Sequence, residues 1–153
     1  MRQLGREEWS FTPLNGEVPH GSLRVGRHQT ELPGAQINEV FALGETGSVQ
    51  AYLIFSSDGI DFEEVLSITL ADPALRILDQ AWIGAPYSTA LWDGARITGP
   101  GSVAFALAQD GIWRLTVLPR PEWRLPLPTA DGWVWRGMRL RRHFRLERVG
   151  AAA

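Results

Sequence analysis

Seven tryptophans are the residues most able to do chemistry in this chain of 153: Trp9, Trp82, Trp92, Trp113, Trp123, Trp133 and Trp135. An indole offers a broad apolar face and one N–H donor. A pyranose ring stacks its C–H groups on such a face, while nearby Asp, Asn or Arg take its hydroxyls. Trp92 sits beside Asp93-Gly94, with Tyr87 on the same expected hairpin. Trp133 and Trp135 lie two apart, just after Asp131-Gly132. That spacing predicts a surface platform in which Tyr87, Trp92, Trp133 and Trp135 stack and Asp93 and Asp131 accept hydroxyl hydrogen bonds. The structural alternative is that the same rings cap the open ends of sheets. Trp113 falls on the apolar face of its strand and is assigned to the core. If the strands instead closed into a barrel, the tryptophans and Tyr87 would line a cavity for an apolar small molecule. Conversion of that molecule would then rest on shape and orientation.

Other catalytic groups are sparse. Without cysteine there are no disulfides, no thiol nucleophile and no Cys-based zinc site. His20, His28 and His143 have neither HExxH nor H-x-H spacing. Gly21-Ser22 lacks the frame of a nucleophile elbow, and Gly99-Pro100-Gly101 lacks the lysine and helix of a phosphate loop. Asp58, Asp61, Glu63 and Glu64 cluster near a glycine but without EF-hand spacing, which reads as a solvated hairpin tip. The balance favours a non-catalytic module with no catalytic residue, no cofactor and no metal.

Charge is unevenly spread. All 15 basic residues are arginine. Glu31 to Asp93 carries ten acids against Arg76 alone, whereas Arg120 to Arg148 carries eight arginines against three acids. Arginines alternating along a strand discourage edge-to-edge aggregation and can meet phosphate or an acidic partner. A net charge of −2 argues against nucleic acid. Acidic and basic regions in one chain fit a homo-oligomer or a larger protein assembly.

These residues need a β framework to hold them. Asn15-Gly16, Asp58-Gly59, Asp93-Gly94, Asp110-Gly111 and Asp131-Gly132 each suit a turn with positive φ. Between the corners the periodicity is two. Val103, Phe105 and Leu107 share one face, as do Trp113, Leu115 and Val117, and Met138, Leu140, Phe144 and Leu146 oppose Arg139, Arg141, His143, Arg145 and Glu147. Val49 to Phe55 is apolar on both faces, as in a central strand. Strands are expected near 7–11, 22–27, 36–43, 47–55, 61–70, 87–92, 95–98, 102–108, 112–118, 122–126 and 133–148. One short helix is expected over 73–80, capped by Asp72 with Pro73 at its first position. The fold class is therefore all-β: a single domain over 1–153, built as an antiparallel, jelly-roll-like β-sandwich, with a closed barrel as the alternative. The N-terminus has no apolar signal-peptide region, and the longest stretch free of charge and proline, Thr46 to Ser57, is too short to span a bilayer. The expectation is a soluble protein made in the cytoplasm.

Ser56-Ser57-Asp58-Gly59-Ile60-Asp61-Phe62 resembles the S-x-D-G-x-x-W/F hairpin of discoidin-type, galactose-binding-like β-sandwiches, including the apolar strand before it and the strand after it. The resemblance is confined to the stretch from Tyr52 to Leu70 and implies a sandwich fold with a ligand-binding role. In that family this hairpin is scaffold, so no site residue carries over. Similar hairpins occur in phage tail and baseplate modules, which implies virion association as a second setting. The functional expectation is a module that recognises carbohydrate or serves as a structural, tail-like subunit.

Overall fold

The computed structural model describes residues 1–45, 47–59, 64–84, 91–108, 111–125 and 134–150. Among them the strands are β1 (Arg2–Gln3), β2 (Trp9–Leu14), β3 (His20–Val25), β4 (His28–Pro33), β5 (Gln36–Glu45), β6 (Ser48–Ser57) and β7 (Leu66–Ala71). They continue as β8 (Ile77–Ile83), β9 (Trp92–Gly99), β10 (Ser102–Leu107), β11 (Gly111–Trp123), β12 (Val134–Arg136) and β13 (Arg141–Gly150). A single 3-10 turn covers Arg6–Glu8. Every strand pairing is antiparallel.

The strands form three sheets, in the orders β1-β5-β6-β7-β8-β12, β13-β11-β10-β9 and β2-β3-β4. They are open sheets rather than a closed barrel, so the sandwich expectation holds and the barrel alternative does not. The six-stranded sheet lies in the middle and is apolar on both faces. One face carries Phe41, Leu53, Phe55, Ile68, Ala81 and Ile83, which pack with Val103, Phe105, Trp113, Leu115 and Phe144 of the four-stranded sheet. The other carries Val40, Ala42, Ile54 and Ala71, which pack with Trp9, Leu23 and Leu32 of the three-stranded sheet. Two cores explain why β7 is buried at every position. In a pleated strand neighbouring side chains point opposite ways, so a strand covered on both sides reads as a continuous apolar run.

Two carboxylates, the half-buried Glu39 and the wholly buried Asp79, tie the edges of the four-stranded sheet to the central one. Glu39 Oε1 on β5 accepts the Ala95 N–H of β9 at 3.3 Å. Asp79 Oδ2 on β8 accepts the His143 N–H of β13 at 2.7 Å and the Arg136 guanidinium at 3.2 Å. Each satisfies an edge-strand N–H that a neighbouring strand would otherwise take.

Several expectations are corrected. The helix over 73–80 is absent: residues 73–76 form a turn and 77–83 is strand β8. Asp72 does cap, but it caps that turn, accepting from Ala74 N and Arg76 N at 2.9 Å and pairing with the Arg76 side chain. Leu75, at φ 61, breaks the helical path, because an L-residue in the left-handed region cannot continue a right-handed helix. Asp93-Gly94 does not turn a hairpin. It lies inside β9 at a register irregularity opposite Phe105 and Leu107, with Gly94 at φ 97. The chain reverses at Pro100-Gly101 instead. The expected strand at 22–27 is β3 but ends at Val25, and Gly26-Arg27, with Gly26 at φ 56, turns the chain into β4, a strand not among those expected. The expected strand over 133–148 breaks into β12 and β13. Phe144 is inward as expected, but Met138 (85% exposed) and Leu140 stand in solvent and Arg142 is buried.

Candidate functional site

The expected platform residues part company. Tyr87, Asp131 and Trp133 lie outside the described residues. Trp92 points inward, its ring 4.9 Å from that of Phe55 and stacked 5.9 Å from that of Phe105. Its indole bonds to the Glu39 side chain. Burial pushes the Glu39 carboxyl above its ordinary range, and the Ala95 and Trp92 N–H groups oppose that rise. Trp92 is therefore interior packing and a donor to a half-buried acid, not a stacking face. Asp93 beside it is exposed, on the strand irregularity described above.

Trp135 is the platform ring that reaches solvent among the described residues, at 50% exposed. It sits on β12, directly opposite Trp82 of β8. Residues opposite each other in an antiparallel pair share a face, with Cβ atoms about 5 Å apart. The row continues across the central sheet through Ser67 to Ser56. In the next row Gln80 donates to Thr69 Oγ1 at 3.1 Å. The result is two neighbouring indoles at a sheet edge, beside the half-buried Gln80, with Ser67, Ser56 and Thr69 buried behind them.

Among the described residues β12 covers Val134–Arg136, and Arg136 adds a side-chain anchor to its pairing with β8. That side chain turns to the opposite face, lies 4.4 Å over the Phe144 ring, and reaches Asp79 Oδ2 and the Phe144 carbonyl. Burial holds the Arg136 guanidinium below its ordinary value, and the Asp79 charge counteracts this. Asp79 is wholly buried, and its Oδ1 accepts the Gln80 N–H at 2.9 Å. The Asp79–Arg136 pair thus locks β12 against β8 on one face and presents Trp135 beside Trp82 on the other.

Trp82 was not among the expected site residues. Its signal was the alternation of Asp79, Ala81 and Ile83 against Gln80 and Trp82. The Asp72-Pro73 pair masked it, because Asp then Pro is also how a helix begins.

A second exposed set lies at the end of the molecule where β11 finishes and β13 starts. Trp123 is 69% exposed, with the Arg141 guanidinium 5.0 Å over its ring. Leu125 and Leu140 are exposed nearby, joined by the Arg124 N–H to Leu140 carbonyl bond at 2.9 Å. Arg145 pairs with Glu122, which also faces Arg124 at 3.6 Å.

Of the expected acidic cluster, Asp58 and Glu64 are described. Asp58 Oδ1 accepts the Val65 N–H at 2.9 Å, and Glu64 is buried. Among the described residues no three His, Asp or Glu side chains gather in a metal-binding group. No described helix is long and apolar enough to cross a membrane. No family model, no curated protein and no solved structure matches the chain.

Proposed function

We propose that this protein is a non-catalytic recognition module that binds carbohydrate through Trp82 and Trp135. The reading rests on one observation: two indoles directly opposite each other at a sheet edge, one of them half in solvent. A pyranose stacks on Trp135 and extends toward Trp82. The half-buried Gln80 amide on the same face supplies a polar partner. A flat apolar surface with few convergent polar groups suits orientation and specificity more than bond cleavage.

A glycan array probed with the wild-type protein and with Trp135→Leu tests the proposal. Leucine retains apolar burial but removes the flat ring. Binding by the wild type to a defined set of glycans, lost in the variant at unchanged circular dichroism, is the expected result. No signal from the wild type, or equal signal from both, overturns it.

The exposed Trp123, Leu125 and Leu140 among arginines favour a second reading, that of a structural subunit in a larger assembly of the virion-tail kind. The opposite charge of the two halves of the chain suits contacts between copies. Size-exclusion chromatography at low and high salt separates the readings: an assembly that dissociates with salt supports the second, and a monomer under both conditions removes it.

A further inference from the structure

At one end of the four-stranded sheet, large apolar side chains stand in solvent beside a concentration of positive charge. The last pairing of β10 with β11 joins Ser102 to Thr116, yet β11 runs on to Trp123, where it pairs with β13 alone. In this two-stranded ribbon Trp123 lies opposite Arg141, and the Arg124 N–H bonds to the Leu140 carbonyl at 2.9 Å. The turn before β13 is held by the Arg139 N–H to Gly137 carbonyl bond at 2.7 Å and by the Arg139 guanidinium on the Ile77 carbonyl at 2.9 Å. Trp123 (69% exposed), Leu125 (71%), Met138 (85%) and Leu140 therefore stand around one ribbon end. Large apolar side chains gathered in solvent mark a contact surface.

Charge decides what that surface fits. Arg120, Arg124, Arg139, Arg141 and Arg145 are all exposed on these segments, and Glu122 is the acid among the described residues of 120–125 and 137–145. Glu122 pairs with Arg145 and faces Arg124 at 3.6 Å, so one carboxylate answers five guanidinium groups. Pro119 and Pro121 remove two N–H groups from this part of β11, which denies an added peptide strand a continuous ladder. A plane of anionic head groups, in contrast, meets every arginine at once.

We infer that this end of the molecule docks on an anionic phospholipid surface, with Trp123, Leu125 and Met138 entering the head-group region and the arginines on lipid phosphates. An indole suits that boundary because it is apolar with one polar N–H. Arginine stems lie along apolar surface while their forked heads bond to phosphate oxygens. The Arg141 guanidinium, 5.0 Å over the Trp123 ring, places a cation beside the inserting indole. Apolar burial and attraction to anionic lipid then add in one peripheral contact. The surface is separate from the Trp82–Trp135 pair and does not rest on it.

Co-sedimentation with vesicles tests the proposal, using phosphatidylcholine alone and an equimolar mixture with phosphatidylglycerol. The expected result is binding to the mixed vesicles that weakens as salt rises, with little binding to phosphatidylcholine. Arg120→Gln/Arg124→Gln should lower the partition about tenfold, because each arginine adds attraction near the surface. Trp123→Gln should lower it by about the same factor through lost apolar burial. These side chains are exposed, so both variants are expected to keep the wild-type circular dichroism. Absence of wild-type binding overturns the proposal, as does equal binding to both vesicle types or an unchanged partition in either variant. Binding of soluble dextran sulfate without vesicle binding would give the arginines to a polyanion in solution. Trp123-dependent self-association without vesicle binding would give the apolar tip to a second copy of the chain. Each of those two results also overturns the lipid proposal.

Discussion

Replacing Asp79 should unfasten both the sandwich edge and the indole pair, and the size of the effect follows from its bonds. Asp79→Ala removes the acceptor of His143 N–H (2.7 Å), of Gln80 N–H (2.9 Å) and of the Arg136 guanidinium (3.2 Å). The Arg136 side chain is 12% exposed and that of Asp79 is wholly buried, so water cannot replace the lost carboxylate without rearrangement. Breaking a buried pair by deleting one partner costs about 3–5 kcal/mol. The orphaned His143 N–H adds about 1 kcal/mol, the low end of the usual range, because His143 is half-buried. A total of about 4–6 kcal/mol is a large part of the roughly 5–15 kcal/mol that holds a domain folded. For a chain of this size it corresponds to a fall in Tm of roughly 10–20 °C. Urea unfolding monitored by circular dichroism measures the loss directly. The double variant Asp79→Ala/Arg136→Met completes a cycle: removing the stranded cation should recover several kcal/mol of the single-variant loss. If Asp79→Ala costs less than about 1 kcal/mol, or if the two changes simply add, the clamp argument is wrong.

Other consequences of the structure can be checked in the same way. Burial raises the Glu39 pKa, so its contribution to stability is present at acid pH and is lost as pH rises through the folded-state value. Glu39→Gln, whose amide oxygen can still accept from Ala95, should therefore raise Tm at neutral pH and flatten the Tm-versus-pH curve; a lower Tm at pH 7 contradicts this. Glu8 behaves oppositely: hydrogen bonding to Arg2 and to Gly5 N–H lowers its carboxyl from 4.5 to about 2. Its contribution is present above 4.5 and lost as pH falls from there through 2, so Glu8→Gln should shallow the acid limb of the same curve. Gly21→Ala forces the Phe11 ring off the β3 backbone and should cost about 1–3 kcal/mol in thermal unfolding. A neutral effect would mean that the ring tilts away freely.

Much of the β framework was legible in the chain because alternation is a local property. Val103, Phe105 and Leu107, and Trp113, Leu115 and Val117, face inward as their spacing demands. The apolar run in β6 marked a strand covered on both sides. Local signals failed where two structures share one signature. Asp72-Pro73 opens a turn rather than a helix, since Leu75 in the left-handed region ends the path. Asp93-Gly94 supplies its positive φ to a strand irregularity rather than to a hairpin.

The amino-acid order by itself determined which residues alternate and where the chain is free to bend. It could not say which face of each strand meets which layer, because a shift of register by one residue turns every side chain over. Tertiary pairing alone decided that Trp92 turns into the core while Trp135 stands beside Trp82 at the sheet edge. The clamp that holds the edge is likewise non-local: Asp79 finds Arg136 and His143 across 57 and 64 residues of chain. A buried carboxylate is tolerable only where folding delivers its donors, and contacts that distant leave no periodic trace in the sequence.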